Sequence, residues 1–171
     1  TLNDARQAAD RAENTTQAVM LGGGLLNLKA AFALIERGIK VTLVVFSPEV
    51  LSQLMEPADA FLIRQALDQA GLTILTGRKA THINSDAGGV TGVVLDNGDV
   101  LPCGMVCIGK GVRPNTGWID SNEIALDRGV IVDTYTRTSA PNVFAAGDVA
   151  VTFDPLTGAP IITGLWTNAV E

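Results

Sequence analysis

"AVMLGGGLLNLKAAFALIERGIKVTLVV", residues 18–45, is the stretch on which the fold turns. Gln17 to Leu21 is a short apolar run that stops at glycines, the pattern of a buried strand. From Leu25 onward the apolar residues fall at 25, 28, 32 and 35, with Ala31 and Leu34 beside them, so a helix here has one apolar stripe. Gly38 supplies its stop. Val41 to Phe46 is almost uninterruptedly apolar and rich in β-branched residues, as expected of a strand covered on both faces of a parallel sheet. Strand, glycine turn, helix and strand in that order make one βαβ unit.

The pattern continues outward from this unit. A second helix is predicted from about Pro57 to Ala70, with Ala60, Ile63, Ala66, Leu67 and Ala70 on one stripe and Gly71 as its stop. "LTIL" (72–75) reads as a third strand. "KATHIN", "VTGVVLD" and "GDVL" follow, separated by Asp86-Ala87-Gly88-Gly89 and Asp96-Asn97-Gly98. The Asn-Gly pair signals a hairpin because both residues tolerate positive φ. An antiparallel meander therefore interrupts the α/β alternation before "MVCIG" (105–109) restores a buried strand. Leu2 to Glu13 reads as a surface helix or lead-in segment. From Val130 the chain alternates short strands, "VIV" and "NVFAA", with Pro and Gly turns and has no helix to complete another βαβ repeat. "LWTNAVE" at the end has helical character, and the chain reads as a segment of a longer polypeptide.

Composition bounds what such a domain does. The 171 residues are 47% hydrophobic, enough for one good core, and carry a net charge of −6 with no cluster of Lys or Arg. A nucleic-acid surface is excluded on that ground, since cationic neutralisation of phosphates supplies most of such affinity. The longest apolar runs fall far short of the roughly 20 residues that cross a bilayer, and no basic segment followed by an apolar block opens the chain. No membrane association and a cytoplasmic location are the expectations.

The glycines carry the chemistry. A dinucleotide pyrophosphate binds where backbone N–H groups at a helix N-terminus point at it, and side chains there would hold it away. The fingerprint for this is G-x-G-x-x-G after a strand, with an acid about 20 positions on to accept from the ribose hydroxyls. Gly22 and Gly24 fill its first two positions, Gly23 lies between them, and Leu25 and Leu26 open the helix. Asn27 takes the third glycine's place, which is expected to loosen the helix against the strand. Val45 takes the acid's place. No nearby Arg marks a 2′-phosphate site, and Ser47 is left to donate one hydrogen bond, so NAD and NADP stay undivided. The fold class is α/β: a Rossmann-like nucleotide-binding domain with a parallel sheet, helices on both faces and an antiparallel β-meander.

Other reactive residues form no site. Cys103 and Cys107 have the spacing C-x3-C, not the C-x-x-C of dithiol sites, and read as small buried thiols. His82 is the only histidine and has no nucleophile to serve. One His, two Cys and scattered carboxylates give no metal-ligand spacing. Trp118 and Trp166 read as packing residues.

Taken together, "AVMLGGGLLNLKAAFALIERGIKVTLVV", "GLTILTG", "VCIGKGVRPNT" and "TRTSAPNVFAAGDVA" resemble, in order and approximate spacing, the FAD-dependent pyridine nucleotide-disulfide oxidoreductases. The likeness is strongest to the branch with the large subunit of nitrite reductase, NADH oxidases, and rubredoxin and ferredoxin reductases. The resemblance implies an NAD(P)H domain over residues 15–110, inserted into an FAD domain of which 111–171 are the returning part and 1–14 a connecting segment. It implies FAD and NAD or NADP as cofactors, NAD(P)H as partner, an acceptor left open, and a homodimer as an allowed assembly. Asp148 would bond the ribityl chain of FAD, with Gly147 keeping the backbone close, and Gly109 would pass near the nicotinamide. Lys29 stands where much of the family has a glutamate. The FAD half with its own glycine fingerprint is not in this sequence, so residues 1–171 alone are expected to be colourless and inactive. No side chain is assigned as catalytic. A nucleotide domain retained as a structural or docking module, and an adenine-nucleotide sensor, stay open as alternatives.

Overall fold

The computed structural model describes residues 2–52, 54–164 and 169. They divide into two compact units, Thr1–Gly111 and Val112–Glu171.

The first unit contains α1 (Leu2–Ala12), β1 (Gln17–Leu21), α2 (Leu25–Ile35), β2 (Lys40–Val45), α3 (Pro57–Gln69) and β3 (Thr73–Thr76). After these come β4 (Ala80–Asp86), β5 (Gly89–Leu95), β6 (Val100–Pro102) and β7 (Met105–Ile108). A parallel sheet runs in the order β3-β2-β1-β7, with Leu21 opposite both Val44 and Ile108. Residues alternate between its two faces. Ala18, Met20, Val41, Leu43, Val45 and Ile74 face one side, where they meet Ala12 of α1, Leu28, Ala31 and Leu34 of α2 and Leu67 of α3. Val19, Leu21 and Val44 face the other, against Val93, Leu95 and Cys103. Met20 and Leu43 are wholly buried. Each such side chain stabilises the fold by roughly 1.5–3 kcal/mol.

The expected helices on both faces are therefore corrected: the helices share one face and the meander β4-β5-β6 covers the other. The handedness of crossover connections explains this. β1 to β2 to β3 moves across the sheet in one direction, so two right-handed crossovers put α2 and α3 on the same side. The return from β3 to β7 moves the opposite way and puts the meander on the opposite side.

Both helices end alike. After α2, Gly38 at φ 79° lets the Ile39 N–H reach the Leu34 carbonyl at 3.1 Å, and after α3, Gly71 at φ 85° does the same for Leu72 and Leu67. Each glycine delivers a buried apolar residue, Ile39 or Leu72, into the core. β2 stops one residue earlier than its apolar run, which leaves Phe46 exposed beyond the sheet.

The second unit holds β8 (Val130–Ile131), a 3₁₀ turn at Gly147–Val149, β9 (Ala150–Phe153) and β10 (Pro160–Ile161). β8 pairs parallel with β9 and β9 antiparallel with β10, around buried Val130, Val132 and Val151. "VIV" is a strand as expected, but "NVFAA" is not. Its Asn142 turns at φ 62°, Phe144 is exposed, and a single bridge from Phe144 to Arg137 is its only ladder contact among the described residues. The strand that fills this role begins four residues after the predicted run, at Ala150. No α-helix lies between Val112 and Gly164.

Candidate nucleotide site

The strand order reverses between β1 and β7. A crevice forms outside the carboxyl ends of strands at such a point, and that is where ligands bind in open α/β sheets. An open cleft of about 340 Å³ lies there, lined by Gly22, Gly23, Gly24, Val45 and Gly109 among others. Five residues predicted as cofactor contacts thus meet at one place. Leu25 and Leu26 stand exposed at the start of α2 beside it.

The three glycines of the turn are glycine for different reasons. Gly22 has φ 110°, and a Cβ on it would collide with the Gly109 carbonyl. A Cβ on Gly23 would lie 2.9 Å from Val45 Cγ1 and 3.4 Å from Val50 Cα, so this glycine admits the loop after β2. That loop is tied back by the Leu51 N–H, which donates to the Gly23 carbonyl at 3.0 Å, with Leu51 itself at φ 53°. Gly24 is different, because no atom of the described residues lies within 4 Å of where its Cβ would stand. It caps α2 with no side-chain hydrogen bond. The first-turn N–H groups, which have no carbonyl partner within a helix, are left open on that side. This is the cradle a pyrophosphate requires.

Asn27 overturns the expectation attached to it. It is 4% exposed, and its Nδ2 donates to the Leu21 carbonyl at 2.9 Å and the Gly22 carbonyl at 2.8 Å. Instead of loosening the helix, the amide ties α2 to the end of β1. Room for it comes from Gly109, whose missing Cβ would lie 2.8 Å from Nδ2 and closer still to Cγ and Oδ1. Gly109 in turn donates its N–H to Leu21 at 3.0 Å. Asn27 therefore faces the sheet, not the ligand side.

Val45 is buried at 4% exposure, with its side chain in the helical-face core. The loop that follows brings residues the motif did not assign: Ser47, Glu49, Leu51, Ser52 and Leu54 line the cleft, with Lys110 and Gly111 from the segment after β7. Ser47 is expected from the sequence to donate one hydrogen bond; the only signal of the other loop residues is their position directly after the strand that should end in an acid, and Lys110 and Gly111 simply follow Gly109. Lys29 is exposed on α2 and does not line the cleft.

Asp148 and Gly147 lie in the second unit. Gly147 needs its glycine, with φ 77°, and Asp148 is exposed within the 3₁₀ turn. Gly147 also borders a separate cavity of about 300 Å³ with Asp133, Thr134, Thr136 and Ala145. Asp133 serves local structure there: it accepts from the N–H groups of Tyr135 and Arg137, and the Arg137 bond leads in holding its carboxyl below the usual range.

The cysteines do not pair, since Cys103 packs in the meander-face cluster and Cys107 against the helical face. Burial pushes both thiols up, partly opposed at Cys103 by bonds from Met105 and Val19. His82 is exposed on β4. Trp118 is 78% exposed and donates to the Asn115 carbonyl, so the packing role expected for it is not what it does. Trp166 and most of "LWTNAVE" lie outside the described residues. Among the described residues no group of His, Cys, Asp and Glu could hold a metal, and no helix is long and apolar enough to cross a membrane.

A parallel sheet with a glycine turn, an uncapped helix start and a cleft at the reversal of strand order defines a Rossmann-like nucleotide-binding domain. The comparison with known families makes this specific: residues 1–171 match the model of the pyridine nucleotide-disulphide oxidoreductases, and the chain belongs to that family. It is 28% identical over 169 residues to the rubredoxin-NAD(+) reductase of Ectopseudomonas oleovorans, 99% of this chain and 44% of that protein. It is 32% identical over 146 residues to the epsilon subunit of the NADH-dependent phenylglyoxylate dehydrogenase of Aromatoleum evansii, 85% of this chain and 34% of the relative. Among solved structures, a ferredoxin reductase from Rhodopseudomonas palustris superposes with a TM-score of 0.91 at 30% identity, covering 99% of this chain and 42% of the other. The chain thus spans less than half the length of these relatives.

Proposed function

We propose that this chain is the NAD(P)H-binding domain, with residues 111–171 as part of the FAD-binding domain, of a flavin-dependent oxidoreductase. Hydride passes in it from NAD(P)H to FAD, and electrons then go to an acceptor. The observation that carries this reading is the open start of α2. Gly24 lines the cleft and adds no side chain over the first turn of α2, and no described residue packs where its Cβ would stand, so packing among them demands no glycine there. In this reading Gly22 and Gly23 shape the turn, Gly24, Leu25 and Leu26 present N–H groups to the pyrophosphate, and Gly109 lets the nicotinamide half approach the end of β7. Asp148 accepts from hydroxyls of the FAD ribityl chain, and its exposure suits that task. Bound flavin would supply the two-electron chemistry, while the protein's part is placement.

A scaffold role keeps one observation in its favour, the apolar Val45 where a ribose acceptor is expected. Asn27 no longer counts for it, because its amide is structural. Titration of the protein with NADH and NADPH by calorimetry separates the two: saturable binding supports the oxidoreductase, and silence toward both, with a cooperative thermal transition, supports the scaffold.

A further inference from the structure

We infer that Glu49 takes over the ribose-binding task from the missing acid at position 45 and makes the site selective for a nucleotide with a free 2′-hydroxyl. This rests on the cleft being the nucleotide site. Val45 fills a core position and has no polar atom to offer. Four residues on, the loop after β2 is held over the glycine turn by the bond from Leu51 to Gly23 and by buried Val50, and Glu49 sits within that anchored segment. It lines the same cleft as Gly22, Gly23 and Gly24.

The carboxylate also has an unmet need. Glu49 is half-buried, and its Oε2 is out of contact with water and accepts no hydrogen bond from any described residue. A buried acceptor left unpaired is costly, and more so when charged. The neighbours in the cleft wall do not relieve it: neither Ser47 nor Ser52 donates to Oε2, and nor does Lys110, on the segment after β7. The vicinal hydroxyls of an adenine ribose are two donors on adjacent carbons, matched to one carboxylate. Turning the flexible Glu side chain toward the cleft gives both oxygens partners. A 2′-phosphate offers that carboxylate no donor and two negative charges, so the contact that favours one nucleotide opposes the other.

The test uses ADP-ribose and its 2′-phosphate, which carry the discriminating half of each nucleotide and undergo no hydride transfer, titrated calorimetrically into the protein and into Glu49→Gln. The native protein should bind ADP-ribose at least about tenfold more tightly than the 2′-phosphate. Glu49→Gln, nearly isosteric, should melt at or slightly above the native temperature, bind ADP-ribose about tenfold more weakly and bring the two ligands within about threefold, since bonds to a charged acceptor exceed those to a neutral one. Unchanged ADP-ribose affinity in Glu49→Gln overturns the role of Glu49 and leaves the nucleotide site standing. Native preference for the 2′-phosphate also overturns it and points to Arg78, whose N–H bonds the Val45 carbonyl at this end of the sheet. Failure of both ligands to bind the native protein overturns the nucleotide site itself and Glu49 with it.

Discussion

Replacing Gly24 by alanine separates a ligand's demand for glycine from the protein's own. The backbone there, at φ −83° and ψ 165°, suits alanine, and the added methyl meets no atom of the described residues within 4 Å. Alanine is a poorer N-cap than glycine by up to about 1 kcal/mol, while the stiffer unfolded chain returns roughly 0.4–1 kcal/mol. The net change is about 0.5 kcal/mol or less, and Tm should move by no more than about 2 °C. Binding should respond quite differently. The methyl would occupy the space over the first turn of α2 and displace the pyrophosphate from at least one N–H. At roughly 1.5–3 kcal/mol per charge-assisted bond, affinity for NADH should fall about 10- to 100-fold. Calorimetric titration paired with a thermal melt reads both quantities on one preparation. If Gly24→Ala binds as tightly as the native protein, the pyrophosphate does not sit on this turn and the proposed function loses its carrying observation. Gly22→Ala provides the contrast, since its φ of 110° and its collision with the Gly109 carbonyl make it destabilising by at least about 1–3 kcal/mol with or without ligand.

Asn27→Gly, which restores the ordinary fingerprint, should cost about 2–3 kcal/mol in urea unfolding through two lost bonds and a small cavity, with nucleotide affinity unchanged. Gly109→Ala should destabilise the native chain but be tolerated in the Asn27→Gly background, giving a double-mutant coupling of roughly 1–3 kcal/mol. Because burial raises both thiols, Cys103 and Cys107 should react with a disulfide reagent only slowly at neutral pH. The stability they confer is present below the unfolded-state thiol pKa and declines as pH rises through the higher folded values, which an alkaline unfolding series would reveal. In the longer, flavin-loaded polypeptide of the proposed function, Asp148→Ala should weaken FAD retention about tenfold or more, measured by flavin release on dilution.

The order of elements in the first unit was legible because hydrophobic period and glycine punctuation agree there: the strands at 17–21, 73–76 and 105–108 and the helix at 57–69 lie within a residue or two of their predicted places. The faces were not, because an apolar strand reads the same whether helices or a meander cover it. Only the direction of the crossovers, a property of strand order, distinguishes the two. Asn27 misled for a related reason. A motif states which position is small, but closeness belongs to a pair, and the partner that made room, Gly109, lies 82 positions on. In the second unit, "NVFAA" had a strand's composition but, among the described residues, no neighbouring strand to complete its ladder, and composition carries no information about neighbours. Glu49 had only its position after β2 as a signal, because its role depends on where a loop is pinned.

The bond from Leu51 to Gly23 has a consequence for how the site fills. The loop after β2 and the glycine turn are fastened at one carbonyl, and Leu51 holds a left-handed conformation that a leucine leaves readily once released. On the proposed function, a nucleotide entering along α2 arrives beside this fastening, and occupancy and loop position are then tied. Protection of the Leu51 amide against hydrogen exchange is then a local gauge of ligand: it should rise with bound nucleotide while the amides of β2 and β3, deep in the sheet, stay as they were.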